Sequence, residues 1–281
     1  MSLPDGLPAA PDALPAPVID SHCHLDITEQ YSGLSPSDAL AAAAAVGVTG
    51  VVQVGVDVAS SRRSVGLAAE FDSVVAAVAL HPNEAPDADL SADLAAIAEL
   101  STDPRVVAIG ETGLDHYRTD RSGQAAQESS FREHIRLARD RDLTLVIHDR
   151  DAHSDVLRVL AGEDLPGRVV FHCFSGDAAM AAECAGNGWF LSFPGVITFK
   201  NAQSLRDAAA VTPPEQMLVE TDAPFLTPVP ARGKPNASYL MPATVRALSE
   251  LSGMDLDDLC RQLRANTIRA FALEATQGFT G

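Results

Sequence analysis

Val18–Leu25 reads VIDSHCHL, an apolar start that runs into two histidines one residue apart. Seven further short runs, apolar or β-branched, repeat its character: Gly50–Val56, Val74–Leu80, Val106–Leu114, Leu143–His148, Val169–Phe174, Trp189–Phe193 and Met217–Asp222. Most are continuous rather than alternating, as expected of parallel strands covered on both faces. Amphipathic or Ala-rich segments separate them, among them Ser37–Val46, Leu90–Leu100, Gln124–Arg141, Ala178–Ala185 and Gln203–Ala210. Ser35 before Pro36 reads as a helix cap. Two closing helices fit Thr244–Leu251 and Leu256–Leu273. Eight strand–helix alternations in one chain predict an α/β fold, a single-domain (β/α)₈ TIM barrel. A doubly wound open sheet is the competing architecture, but no GxGxxG follows the first strand and no Walker A sequence occurs.

The chain has 281 residues, 46 % of them apolar, enough for one full core. Residues 1–17, Pro- and Ala-rich, are expected to form a disordered or loosely packed tail, and the barrel is expected over 18–275. Lys and Arg total 20 against 38 Asp and Glu, for a net charge of −18, which argues against a protein that coats nucleic acid with a broad basic surface. The only two lysines are Lys200 and Lys234. Cys23, Cys173, Cys184 and Cys260 form no CxxC pair and read as reduced, buried packing residues of a cytoplasmic protein. No apolar run approaches the ~18 residues of a membrane span.

The strand ends carry an unusual set of polar residues. His22 and His24 lie on the first run, Glu111 on the fourth, His148 on the fifth, His172 on the sixth and Asp222 on the eighth. Catalytic groups of parallel barrels project from these C-terminal ends. Residues two apart on a strand share a face, so both His22 and His24 point into the barrel mouth while Cys23 points away. One such histidine alone reads as a hydrogen-bonded core residue. Four beside two carboxylates make an expensive cluster without a cation, and suit one or two divalent ions. With Glu111 bridging, two ions would stand about 3.5–4 Å apart, as in two-metal hydrolases. A carboxylated lysine bridging from the fourth strand is excluded, since neither lysine lies there.

These stretches resemble the TatD family of metal-dependent deoxyribonucleases, within the amidohydrolase-like barrels. The resemblance rests on DSHCHLD (Asp20–Asp26), LHPNEA (Leu80–Ala85), GETGLD (Gly110–Asp115), VIHDR (Val146–Arg150), FHCFSG (Phe171–Gly176) and ETDAPFL (Glu220–Leu226), in order along most of the chain. It implies one metal held by His22, His24, Glu111 and Asp222, and a second by Glu111, His148 and His172. It further implies a Mg²⁺- or Mn²⁺-dependent phosphodiesterase acting on DNA, in several members a 3′-to-5′ exonuclease; zinc is a further candidate, because His-rich sites favour it.

The inferred chemistry is phosphodiester hydrolysis by two-metal activation of water, with Asp222 orienting the water or taking its proton. His81 stands as a phosphate contact or a packing residue, and Arg118 as a phosphate contact or a solvated loop charge. Asp20 and Glu220 read as acids that fix the ligand histidines, or as paired interior acids. Arg232-Gly-Lys-Pro-Asn236-Ala-Ser-Tyr239 resembles the family's loop after the eighth strand, with Ala237-Ser238 in place of its usual pair; Arg232, Lys234, Asn236 and Tyr239 are candidate substrate contacts there. DNA is the expected partner, with no membrane and no obligate protein partner, and the chain is expected to act as a monomer. The same metal site would serve a hydrolase of a non-nucleic ester or amide bond, or an aminoacyl-tRNA deacylase. A non-catalytic binding barrel is the third reading, and the intact ligand set argues against it.

Overall fold

The structure is a computed structural model that describes residues 3–4, 6–273 and 279. Eight strands pair in parallel, each with the next in sequence: β1 (Val18–Cys23), β2 (Val48–Val54), β3 (Val74–Val78), β4 (Val106–Asp115), β5 (Thr144–Arg150), β6 (Val169–Phe171), β7 (Phe190–Phe193) and β8 (Met217–Val219). The sheet curls into the expected (β/α)₈ barrel. Its seam between β1 and β8 is carried by few backbone bonds: Asp222 N–H donates to the His22 carbonyl and His24 N–H to that of Ala223, each at 2.9 Å. Side chains complete it. Asp20 accepts from the Thr221 amide at 2.9 Å and hydroxyl at 2.6 Å, and the Ser21 hydroxyl donates to the Val219 carbonyl at 3.0 Å.

Among the described residues ten α-helices surround the sheet: α1 (Leu25–Ser32), α2 (Pro36–Ala45), α3 (Val58–Glu70), α4 (Leu90–Leu100), α5 (Gln124–Asp140), α6 (His153–Ala161), α7 (Ala178–Gly186), α8 (Gln203–Val211), α9 (Met241–Ser252) and α10 (Leu256–Ala270). Ser35 caps α2 as expected, accepting from the Asp38 amide. The sequence reading did not single out α1 or α3. In α3 the fully buried residues are Ser61, Ser64 and Ala68, with Val58, Val65 and Leu67 only partly buried beside them, so the apolar period is weak. An Asp57–Ser60 capping box starts that helix instead.

Alternate residues of the strands divide two cores. Ile19, Val52, Val75, Val107, Val146 and Leu218 fill the barrel interior, closed below by Ala270 and Phe271 at the end of α10. Their neighbours, such as Val18, Val51, Ile109, Leu145 and Phe171, pack outward against the helices. The N-terminal stretch is a correction to the expected loose tail. Leu14 and Ala16 are buried, and Leu14 N–H donates to the Val46 carbonyl. The Tyr239 hydroxyl donates to the Pro8 carbonyl, and Arg246 to those of Asp12 and Ala13. This stretch joins no sheet or helix, and side chains from the body of the barrel supply donors to its carbonyls. The expected domain end at 275 lies outside the described residues.

His134 on α5 holds helix and barrel together. Its Nε2 accepts from the Leu80 amide at 3.1 Å, and its Nδ1–H donates to the Ser130 carbonyl at 2.7 Å. The bond that Nε2 accepts needs the neutral ring, and burial pushes its pKa down to about 4. A folded pKa below the unfolded value gives stability that is full above pH 6.5 and is lost as pH falls through 4. Urea unfolding should therefore show roughly 2 kcal/mol of loss between pH 7 and 4.5 that is absent from His134→Gln.

Candidate metal centre

Seven side chains from six strands or the turns just beyond them meet in the barrel mouth. Glu111 is the middle of the group. Its Oε2 faces His22 Nε2 at 3.5 Å and His24 Nε2 at 4.0 Å. Its Oε1 faces His148 Nδ1 at 2.6 Å, His172 Nε2 at 2.7 Å and His81 Nε2 at 3.4 Å. Asp222 Oδ1 completes the first side, 3.8 Å from His22 and 3.6 Å from His24. His22 and His172 stack with ring centroids 3.8 Å apart.

Backbone irregularities place these groups. Between the pairs Ile109–Leu145 and Thr112–Ile147, β4 has one residue more than β5, so Glu111 sits on a bulge. β1 carries a comparable extra residue between Asp20 and Cys23, at His22. Gly110 and Gly113 flank the β4 bulge at φ 151° and 145°, and a Cβ on either would drive into the backbone of β5, at Val146 and His148 respectively. Asp222 lies three residues beyond β8 in the left-handed region, at φ 51°, held by its amide bond to His22.

Two of the histidines are hydrogen-bonded from behind, and a third has a carboxylate nearby. His24 Nδ1–H donates to the Val54 carbonyl at 2.9 Å, which leaves the Nε2 lone pair for the mouth. His148 Nε2 meets Asp115 at 3.2 Å, and His172 Nδ1 lies 3.5 Å from Glu220. Such rear partners fix metal-ligating imidazoles elsewhere. Neither nitrogen of buried His22 has a hydrogen-bond partner. Ligands about 2.1 Å from one ion stand about 3.0–3.5 Å from each other, close to the spacing of His22, His24, Glu111 and Asp222. The donor set therefore fits a divalent cation on the His22 side, and a second group formed by His81, Glu111 and His148 lies within ligand spacing on the other.

The electrostatics agree. Burial by itself would raise the Glu111 pKa, yet the charges of His172 and His81 and the hydrogen bond from His148 hold it well below the usual range. Burial likewise opposes protonation of His172, and Glu111 and Glu220 overcome it, raising its pKa well above 6.5. A cation would replace those protons.

The cleft above the cluster has a volume of about 760 Å³ and is rimmed by Arg118, Arg150 and Phe225. Arg118 is exposed there, its amide tied to Asp115 at 2.8 Å. Of the other candidate contacts, His81 joins the cluster itself, three residues past the end of β3. Asn236 and Tyr239 are corrected: both are fully buried and neither lines the cleft. Asn236 Nδ2 donates to the Thr221 and Phe225 carbonyls and shapes the turn that carries Asp222, whereas Tyr239 anchors the N-terminal stretch. Arg232 lies in a neighbouring groove. Asp20 touches no imidazole ring; its carboxylate is spent on Thr221 and the His22 amide. Cys173, expected as a buried packing residue, is only partly buried and lines the cleft, where its φ of 44° departs from strand alternation. Asp115 as the partner of His148 was missed; its place four residues after Glu111 on β4 was the available signal.

A family model described as TatD related DNase matches residues 19–272. A metal-dependent hydrolase named TatD from Mycobacterium tuberculosis is 45 % identical over 91 % of this chain and 98 % of its own. YabD of Bacillus subtilis, also named as a metal-dependent hydrolase, is 38 % identical over 91 % of this chain and 99 % of its own. Among solved structures, the TatD homologue YjjV of Escherichia coli superposes with a TM-score of 0.84 at 28 % identity, over 91 % of this chain and 98 % of that one.

Because Glu111 faces both sides of the cluster, Glu111→Ala should strip at least nine-tenths of the divalent metal retained after gel filtration, read by plasma mass spectrometry. Asp222→Asn should keep more of it, since one oxygen remains to coordinate. Equal retention by native protein and Glu111→Ala would remove Glu111 from the centre of the site.

Proposed function

The chain belongs to the TatD family of metal-dependent hydrolases, and from that premise we propose that it cleaves phosphodiester bonds of single-stranded DNA, as a 3′-to-5′ exonuclease. The observation that carries the reading is a buried two-sided carboxylate–imidazole cluster at the floor of a cleft lined by Arg118 and Arg150, in a protein of net charge −18. Arg118 and Arg150 at that rim, the latter stacked 4.1 Å over the exposed Tyr117 ring, favour an anionic substrate with flat groups to stack on.

We assign His22, His24, Glu111 and Asp222 to one divalent ion and Glu111, His148 and His172, with His81 beside them, to a second; Mg²⁺ or Mn²⁺ suits the reaction, and Zn²⁺ the histidines. Bound there, such ions polarise phosphate oxygens and lower the pKa of water. The chain's own part is positional. Glu111 fixes the spacing between the two sides. Asp222, whose side chain keeps 14 % of its surface open, faces the cleft and can hold the attacking water and accept its proton. Asp115 keeps His148 from turning, and Glu220 sets a negative charge beside His172. No described helix is long and apolar enough to cross a membrane, and the proposal places the enzyme in the cytoplasm as a monomer.

Single-stranded DNA labelled at its 5′ end should shorten progressively with Mg²⁺ or Mn²⁺, stop with chelator, and lose at least a hundredfold in kcat with Asp222→Asn. DNA left intact with every divalent ion, while a carboxylic ester or amide is hydrolysed, would sink the nuclease reading and favour the acyl one.

A further inference from the structure

A second groove of about 420 Å³ adjoins the cleft; Tyr31, Phe199, Arg232 and Lys234 line it, and Leu226 lines both. The strip between the two is aromatic. Phe225, on the cleft side, meets Tyr31 edge-on with centroids 5.8 Å apart and lies 6.5 Å from the His24 ring. Both rings are open to solvent, Tyr31 by 64 % and Phe225 by 41 %, among only five large apolar side chains so exposed in the described residues. The cations stand on the far side. The Arg232 guanidinium lies 4.2 Å over the Phe199 ring, beside exposed Lys234. The other lysine of the chain, Lys200, directly follows Phe199 and is also exposed. Thus both lysines of a chain with 38 acidic residues fall at one edge of the mouth.

We propose that this groove binds the nucleotides next to the cleaved phosphodiester of a single-stranded nucleic acid, with phosphates against Arg232 and Lys234 and bases against Phe225 and Tyr31. The inference rests on the nuclease reading for the position of the cleaved bond, and deepens it by adding a strand-binding subsite. Open aromatic faces beside cations that track a backbone are how single strands are bound without sequence preference, because every base has a face to stack. Duplex DNA offers no unstacked base to Phe225. An acidic peptide would meet the same charges and leave the rings unused. Arg232 is preorganised by Phe199, so little side-chain freedom is lost when it takes a phosphate.

The test is fluorescence anisotropy with oligothymidylates of two, four and eight nucleotides, made with cleavage-resistant phosphorothioate linkages, on the full chain in Mn²⁺. The native protein should bind eight nucleotides at least tenfold more tightly than two. Arg232→Ala/Lys234→Ala should lose at least tenfold for the eight-mer, with a salt slope shallower by about 1.4, and Phe225→Ala about tenfold. All three side chains are exposed, and a thermal melt checks folding. Affinity independent of length, variants that bind as the native protein does, or equal competition by polyglutamate would each overturn the groove. The two readings fail separately. Cleavage of DNA without length-dependent binding removes the groove alone, whereas length-dependent binding lost in the variants, with no phosphodiester cleaved, removes the nuclease alone.

Discussion

One carboxylate organises the mouth of the barrel. Glu111 is buried, and its two oxygens face opposite sets of imidazoles, His22 and His24 on one side, His81, His148 and His172 on the other. Placing five imidazole rings and a second carboxylate around one buried acid is unfavourable for an ordinary core, since each polar atom loses water. The arrangement becomes reasonable only if positive charge is shared among these groups, as protons or as metal ions. Protons and ions compete for the same nitrogen lone pairs, so proton uptake by His172 and metal binding are two answers to one electrostatic demand.

The barrel seam is the second condition. Asp222 reaches His22 and His24 only because the turn after β8 is bonded to the end of β1. That seam has too few backbone pairs to stand alone, and the Asp20 carboxylate substitutes for part of the ladder by binding Thr221 through amide and hydroxyl. Asn236 fastens the same turn from outside through two carbonyls. Asp20, Thr221 and Asn236 thus act on the chemistry without touching it: they hold Asp222 against two histidines about two hundred residues earlier in the chain.

Much of this was legible in the sequence, for identifiable reasons. Strands buried on both faces appear as apolar runs, and a parallel barrel puts their C-terminal ends in one place, so His22, His24, Glu111, His148, His172 and Asp222 could be grouped before any geometry was known. What alternation could not supply was orientation where alternation fails. His22 and Glu111 sit on bulges, and Cys173 and Asp222 have left-handed backbones. Parity therefore could not orient Cys173, and could not choose among the readings of His81, which lies beyond its strand. Asn236 and Tyr239 were misassigned because a loop motif states that residues matter, not whether they face substrate or neighbouring backbone. The N-terminal stretch was misread for a related reason: low complexity and proline suggest looseness, whereas Tyr239 and Arg246, more than two hundred residues away, bind its carbonyls.

The charge distribution links the two functional readings. Beyond about 8 Å at physiological salt, individual surface charges are screened, so a net charge of −18 opposes loose binding of polyanions over the general surface without governing events inside a cleft. At the mouth the balance is different. Arg118 and Arg150 stand on one side and Arg232 and Lys234 on the other, with Tyr117 and Phe225 exposed beside them. On the nuclease reading, an acidic exterior and a cationic, aromatic mouth perform one selection. A strand gains little by lying elsewhere on the molecule, and gains most where unstacked bases and a phosphate meet the cluster together. On that reading the mouth would disfavour a rigid duplex, whose bases are already stacked, and would admit a flexible single strand whose end could descend to Glu111 and Asp222.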